Sequence, residues 1–225
     1  KTATIYPLTS LILSCAEQPV VLHGGGRMPI KYGITAAELF HSLGLILTSL
    51  NLNQVANGFE KFGLALIHQP DHFDLAENLI TYREDIGKRP PIASMELLWT
   101  AHQNQHLLVS GFVHPPTEQR AWKALQIKGE TDFMTVKGLE GSTDLPISRA
   151  CITSRIQNKK PLRLILHPRD YDCHGQDIEW ADFYSQVGAK LKAMSVSSKP
   201  IVLLTQTYAS PTTKRIIDKF TSKFS

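Results

Sequence analysis

Cysteine is scarce in this chain: three residues in 225, at positions 15, 151 and 173, with no Cys-x-x-Cys pair. An odd and widely scattered set does not build a disulfide framework, so three reduced thiols are expected, two of them buried. Long hydrophobic runs are also missing. The longest early one, Leu11 to Cys15, falls far short of the roughly 18–20 residues of a membrane span. The N-terminus lacks the charged-then-apolar order of a secretory signal. No repeat period and no low-complexity segment occurs. What is present is ordinary globular material: 42% hydrophobic residues, 18 aromatics and 20% charged residues. That content argues against disorder, and a soluble, cytoplasmic protein without membrane contact is expected.

Charge is modest in sum, +4, but unevenly spread. Residues 1–112 hold 7 Lys/Arg against 9 Asp/Glu, and residues 113–225 hold 17 against 11. No acid occurs from Leu145 to Arg169 or from Phe183 to Ile217. One-signed stretches of this kind either attract polyanions or form solvated surface.

Apolar runs alternate with amphipathic segments. Short strands are expected at Val20–His23, Leu64–Ile67, His106–Val113 and Phe133–Val136, with β-rich composition at Ile147–Ile156 and Leu162–Leu166. Helices are expected at Thr35–Leu43, where Thr35 and Glu38 have capping-box spacing, and at Asn53–Phe62, closed by Gly63. Others are expected at Asp71–Asp85 with Gly87 as its stop, Ser94–Trp99, Glu118–Leu125 behind Pro115-Pro116, and Ile178–Met194. The tail from Ile201 is ambiguous. The alternation predicts an α/β fold: a central, mostly parallel sheet with helices on both faces. Ligands in such folds bind where strands end and helices begin.

The sharpest local motif is His23-Gly24-Gly25-Gly26-Arg27, directly after a predicted strand. Glycines let the backbone approach a ligand and present N–H groups to an anion; Arg27 and Lys31 add positive charge. The same motif forms the oxyanion hole of esterases, but that chemistry needs a Gly-x-Ser-x-Gly nucleophile turn, and the chain has none. His102 with His106, and the group His167, Asp170, Asp172, Cys173, His174, match no metal-ligand spacing and read as surface polar residues. Arg83 and Arg89 flank a turn and could face a pocket. Glu140 and Asp144 follow the fourth strand, where acids can hold Mg²⁺.

In combination these motifs resemble anthranilate phosphoribosyltransferases. His23 to Gly44 is similar to that family's His-Gly-Asn-Arg segment and following helix. Tyr82-Arg83-Glu84-Asp85-Ile86-Gly87-Lys88-Arg89 resembles its arginine-rich turn, Gly111-Phe112-Val113-His114-Pro115 its strand-to-helix turn, and Val136 to Asp144 its acidic loop. The order is kept over about residues 1–165, and the tail after Ile201 departs from it. The resemblance implies the large α/β domain of the nucleoside phosphorylase and phosphoribosyltransferase type, residues 1–225 forming that single domain. By the resemblance, the family's Gly-rich phosphate loop would lie just before Lys1 and its N-terminal helical domain before that, so neither is expected within residues 1–225. It also implies transfer of a phosphoribosyl group from its pyrophosphate to anthranilate with Mg²⁺, and a homodimer formed through the helical domain.

Departures from the pattern are as informative. The family's phosphate-contacting Asn-Ile-Ser-Thr aligns with Thr4-Ile5-Tyr6-Pro7, so a tyrosine and a proline replace two hydroxyl donors. The asparagine after His-Gly becomes Gly25, two serines become Pro29 and Tyr32, the Asp-Glu pair becomes Thr143-Asp144, and a further asparagine becomes Ala93. His23, Lys31, Gly33, Arg83 and Arg89 remain. Losing one charge-stabilising donor costs ~10²–10³ in rate, so several losses leave little catalysis on the ordinary substrate. The chain therefore looks closest to a non-biosynthetic, nucleic-acid-binding group of the same superfamily. The expected ligand is nucleic acid or another phosphate-rich molecule, gripped by His23, Gly24, Gly25, Gly26, Arg27, Lys31, Arg83 and Arg89 and by a basic surface at Lys159, Lys160, Arg163, Lys190 and Lys192. The alternative is an active glycosyl or phosphoribosyl transferase with an altered acceptor, needing Mg²⁺ at Glu140 or Asp144; no cofactor is otherwise expected.

Overall fold

The computed structural model describes residues 4–27, 33–86, 92–158 and 160–177, together with Ala189 and Ala193. These fall into two compact units, one holding residues 7–86 and the other residues 4–6 and 92–177. The expected helix Ile178–Met194 and the tail from Ile201 lie outside the described residues, apart from those two alanines.

In the first unit, helix α1 (Tyr6–Cys15, its first residue grouped with the second unit) is followed by strand β1 (Val20–Gly24), helix α2 (Ala36–Ser42), helix α3 (Leu52–Phe62) and strand β2 (Leu64–His68). β1 and β2 pair in parallel, Val20 opposite Leu64 and Gly24 opposite His68. α2 begins as its sequence demands. Thr35 accepts from the Glu38 amide, and Glu38 accepts in return from the Thr35 amide. α3 repeats the device with Asn51 and Gln54, and ends on Gly63 in the left-handed region at φ 66°. α1 was not foreseen. Its apolar residues mask any helical stripe, and Pro7 sits in the first turn, where a missing N–H costs nothing.

The expected long helix at Asp71–Asp85 is instead three pieces: α4 (Gln69–His72), α5 (Asp74–Glu77) and α6 (Ile80–Ile86). Phe73 breaks the first junction at φ −143°, ψ 66°. The physical reason lies in two polar side chains. Asp71 accepts from the Ser49 amide at 2.6 Å, and the His72 ring meets the Leu50 carbonyl at 2.7 Å. These bonds tie α4 to the 49–50 turn. Gly87, the expected stop, is outside the described residues.

The second unit carries helix α7 (Ile92–Met95), strand β3 (Leu108–Gly111), helix α8 (Pro115–Lys128) and strands β4 (Asp132–Val136), β5 (Cys151–Gln157) and β6 (Lys160–Leu166). β3 and β4 are parallel, while β5 and β6 continue the sheet antiparallel, in the order β3-β4-β5-β6. Two of the four described pairings are thus parallel, both within strand–helix–strand stretches as the α/β pattern requires. α8 starts with Pro115 and Pro116 and closes on Gly129 at φ 96°.

Register explains the core of this unit. Leu108, Phe133 and Ile156 lie opposite one another on three adjacent strands, and Leu125 of α8 completes their cluster, with Leu98 and Trp122 packed against it. Two residues along, the same face carries Ser110, Thr135, Ser154 and Arg163 in a polar row. Glu118 and Trp122 of α8 cover that row. Trp122 Nε1 donates to Thr135 Oγ1 at 3.0 Å, and Thr135 donates to Glu118 at 2.9 Å. Arg163 donates to both Glu118 and Ser154.

All three cysteines are free: Cys151 is buried, Cys15 half-buried and Cys173 exposed, so one rather than two is enclosed. Among the described residues no helix is long and apolar enough to cross a membrane.

Candidate functional site

Two strand ends carry the residues singled out from sequence, one in each unit. In the first unit the glycine run leaves the carboxyl end of β1, with His23 and Gly24 still in the strand. A side-chain carbon added at Gly24 or at Gly26 would meet nothing within 4 Å, so the backbone there faces open space. Arg27 is engaged. Its Nε and terminal nitrogen both reach Glu38 at 2.7 Å, the same glutamate that closes the capping box of α2. The hydrogen bond that Arg27 donates to Glu38 raises the Arg27 pKa further. Burial pushes Glu38 upwards, but Arg27 and Thr35 outweigh it and leave its carboxyl below the ordinary range. The glycine turn is thereby fastened to the start of a helix.

Arg83 on α6 is only 5% exposed, so it is enclosed rather than solvated. Lys31 and Arg89, with Pro29 and Tyr32, are outside the described residues.

In the second unit the loop after β4 folds back on the end of β3. Leu139 donates to the Asp144 carbonyl at 2.8 Å, and a 3-10 turn spans Leu139–Gly141. Gly111 and Gly138 make this possible. A side-chain carbon at Gly111 would run into the carbonyls of Gly141 and Ser142, and one at Gly138 would sit 2.7 Å from the Asp144 carbonyl oxygen. Glu140 is exposed at φ 52°.

Asp144 points its chemistry inward. Its carboxylate accepts from the Ile5 amide at 3.1 Å and from the Tyr6 amide, at the very start of α1. The residue is 7% exposed. Burial raises its pKa above the usual carboxylate range, against the pull of the two amides and Ser142. Burial, helped by this neighbouring charge, pushes the Tyr6 hydroxyl to about 12. Among the described residues no group of three or more His, Cys, Asp or Glu could hold a metal ion. Glu140 is exposed and Asp144 buried, so the two acids stand in different surroundings.

This burial has a measurable sign. Folding raises the Asp144 pKa, so its contribution is fullest at acid pH and is lost as pH climbs through the folded-state value. Asp144→Asn keeps an acceptor without the charge. It should match the parent protein at low pH and equal or exceed it in stability at neutral pH. Asp144→Ala removes the acceptor from the helix start and should cost about 1–2 kcal/mol. Urea midpoints across the acid-to-neutral range check both, and a clear deficit of the asparagine variant at neutral pH would contradict this placement.

Of the expected basic surface, Lys160 is exposed, whereas Arg163 is paired with Glu118 and lies over the Trp122 ring. Lys159, Lys190 and Lys192 are outside the described residues. Sequence reasoning missed Glu118. The one available signal was its spacing from Trp122 and Leu125, which places all three on one face of α8.

No family model matches the chain. The anthranilate phosphoribosyltransferase of Leptothrix cholodnii is 23% identical over 176 residues, covering 76% of this chain and 48% of its own length. That of Methylibium petroleiphilum is 22% identical over 205 residues, 89% of this chain and 58% of its own. The chain thus spans about half the length of the curated relatives it matches. Among solved structures, anthranilate phosphoribosyltransferase from Saccharomyces cerevisiae in complex with PRPP and Mg superposes with a TM-score of 0.65 at 14% identity, over 85% of this chain and 52% of that one. The described elements therefore have the α/β fold of the phosphoribosyltransferase large domain. In sequence and in fold the chain is anthranilate phosphoribosyltransferase-like.

Proposed function

We propose that this anthranilate phosphoribosyltransferase-like chain has a degenerate phosphoribosyl-pyrophosphate and magnesium site, and that it binds nucleic acid or another polyanion. The observation that carries the reading is Asp144. The carboxylate aligned with the family's metal-binding pair is buried against the amides of Ile5, just before α1, and Tyr6, its first residue. A helix start favours an anion, and here a carboxylate of the same chain fills that role. An incoming phosphate at those amides would meet a like charge. Tyr6 and Pro7 stand where the family has hydroxyl donors, and Arg27 is paired with Glu38. Within the acid-free stretch from Leu145 to Arg169, Arg149, Arg155 and Arg163 are paired with Asp177, Asp132 and Glu118, so the positive charge offered to a polyanion comes from the exposed Lys160 and Arg169.

The second reading, pentosyl transfer to an altered acceptor, draws support from the placement of Arg83, enclosed on α6 in the unit that carries the glycine turn. Under it His23 and Arg83 position the acceptor and the glycine turn holds phosphate. Calorimetric titration of the full-length protein with phosphoribosyl pyrophosphate and Mg²⁺ separates the two. No saturable heat is expected, and micromolar binding would favour the transferase. Affinity for single-stranded DNA, measured against salt, should fall steeply on a log–log plot; absence of binding at low salt would remove the polyanion reading.

A further inference from the structure

The sheet of the second unit ends on β6, which is its edge among the described residues. The ladder fixes which main-chain groups of that edge face outward. The Asn158 amide donates to the Thr131 carbonyl at 3.1 Å, and the Lys137 amide to the Ile152 carbonyl at 2.9 Å. Even-numbered residues of β5 therefore turn their N–H and C=O groups to β4, and odd-numbered ones turn theirs to β6. Those odd-numbered residues stand opposite Lys160, Leu162, Leu164 and Leu166. Pro161, Arg163 and Ile165 are left with their main-chain groups directed away from the sheet. Pro161 suits that place, because the amide it lacks is one the sheet does not use.

Natural edges are blunted by lysine and proline. Here Lys160 and Pro161 guard only the hairpin end. Beyond them Leu162, Leu164 and Ile165 are 58%, 49% and 70% exposed. Arg163 is no guard, since its guanidinium is turned to Glu118 and Ser154. Leu162 and Leu164 share a face with Lys160, on the side of the sheet away from α8. The outward groups of Arg163 and Ile165 repeat every second residue, which is the spacing an added strand reads. Charge decides what fits. β6 lies wholly within the acid-free stretch from Leu145 to Arg169, with exposed Lys160 at one end and exposed Arg169, followed by exposed Asp170, beyond the other. A second copy of β6 laid antiparallel would bring each Lys160 towards the Arg169 end of its twin, like charge against like. A strand with acidic ends would meet opposite charge at Lys160 and at Arg169.

We propose that β6 is a docking edge for an extended acidic peptide of a partner protein. The peptide adds as a further strand on Arg163 and Ile165, lays apolar side chains beside Leu162 and Leu164, and sets a carboxylate near Lys160. The inference goes beyond the polyanion reading, since nucleic acid has no amide ladder to offer.

The test titrates the full-length protein with a synthetic capped peptide of about eight residues, a valine–threonine centre flanked at both ends by glutamates. Saturable binding with Kd below about 1 mM is expected, with amide exchange at Arg163 and Ile165 slowed in the complex. The same peptide with lysines for glutamates, and one N-methylated through its centre, should each bind about tenfold more weakly or worse. Lys160→Glu should weaken the acidic peptide about fivefold or more. Ile165→Pro deletes an outward donor and no bond of the ladder, so it should lose about tenfold or more in peptide affinity, with the urea midpoint and DNA affinity kept. If that variant fails to fold, the N-methylated peptide on the parent protein answers the same question. No binding of the acidic peptide, or equal affinity for the three peptides, would overturn the proposal. So would slow exchange at Arg163 and Ile165 in the free monomer, the sign of an edge covered by the chain itself. Protection that appears only as the protein dimerises in sedimentation would assign the edge to a second copy instead. Failure of DNA binding alone would leave the proposal untouched.

Discussion

Alanine at position 111 is expected to cripple the second unit. The added carbon would collide with the main-chain carbonyls of Gly141 and Ser142, and would lie 2.5 Å from the Ser142 carbonyl carbon. Overpacking typically costs 1–3 kcal/mol when side chains can yield. Here only backbone is in the way, so about 3 kcal/mol or more is expected, with the 138–144 loop displaced and Asp144 pulled from the Ile5 and Tyr6 amides. Gly58→Ala is the internal contrast. It lies inside α3 with nothing near its would-be side chain, and should stabilise by about 0.5–1 kcal/mol. Urea midpoints of the two variants should move in opposite directions. A Gly111→Ala protein as stable as its parent would show that the loop does not rest on β3 as described.

Arg163→Met is the second large effect. Glu118 is 1% exposed, and its charge is compensated by Arg163 and by the Thr135 hydroxyl. Removing the arginine strands a carboxylate in the interior, at a cost of about 3 kcal/mol. The value sits low in the usual range because the Arg163 side chain is half-exposed and water screens it. Removing both charges, Glu118→Leu with Arg163→Met, should be far milder than the single change. The double-mutant cycle should give a coupling of about 1–3 kcal/mol. Arg163→Lys should fall between, because one ammonium cannot serve Glu118 and Ser154 with the geometry of a fork. Additive losses would mean the pair is not coupled. The double variant also retains the fold without the Arg163 charge, so its DNA affinity measures what that residue contributes to a polyanion surface.

Which parts of this were legible in the residues depended on how local the signal was. The Thr35–Glu38 capping box, the Gly63 stop and the parallel strands at Val20 and Leu64 are short-range patterns, and each appears where it was expected. The break at Phe73 was hidden because its cause sits some twenty residues away, in the Ser49 and Leu50 backbone groups that Asp71 and His72 bind. Arg27, Arg163 and Asp144 were readable as charged groups near strand ends. Their partners were not: Glu38 lies 11 residues from Arg27, Glu118 lies 45 from Arg163, and Ile5 lies 139 from Asp144. Charge is written in the sequence, whereas its neutralisation is a property of the fold.

The alternation of an apolar row and a polar row across β3 to β6 bears on how the last two strands find their alignment. Moving β5 by one residue against β4 would turn Ser154 and Ile156 outward and bring Arg155 to the helix-covered side. It would also separate Arg155 from Asp132, which it now grips through Nε at 2.9 Å and a terminal nitrogen at 2.6 Å. A slipped hairpin thus loses an ion pair and buries a guanidinium in a single error. The penalty for a mispaired strand is therefore full only once α8 covers that face, and a swapped hairpin between two molecules is tolerable only in the native alignment.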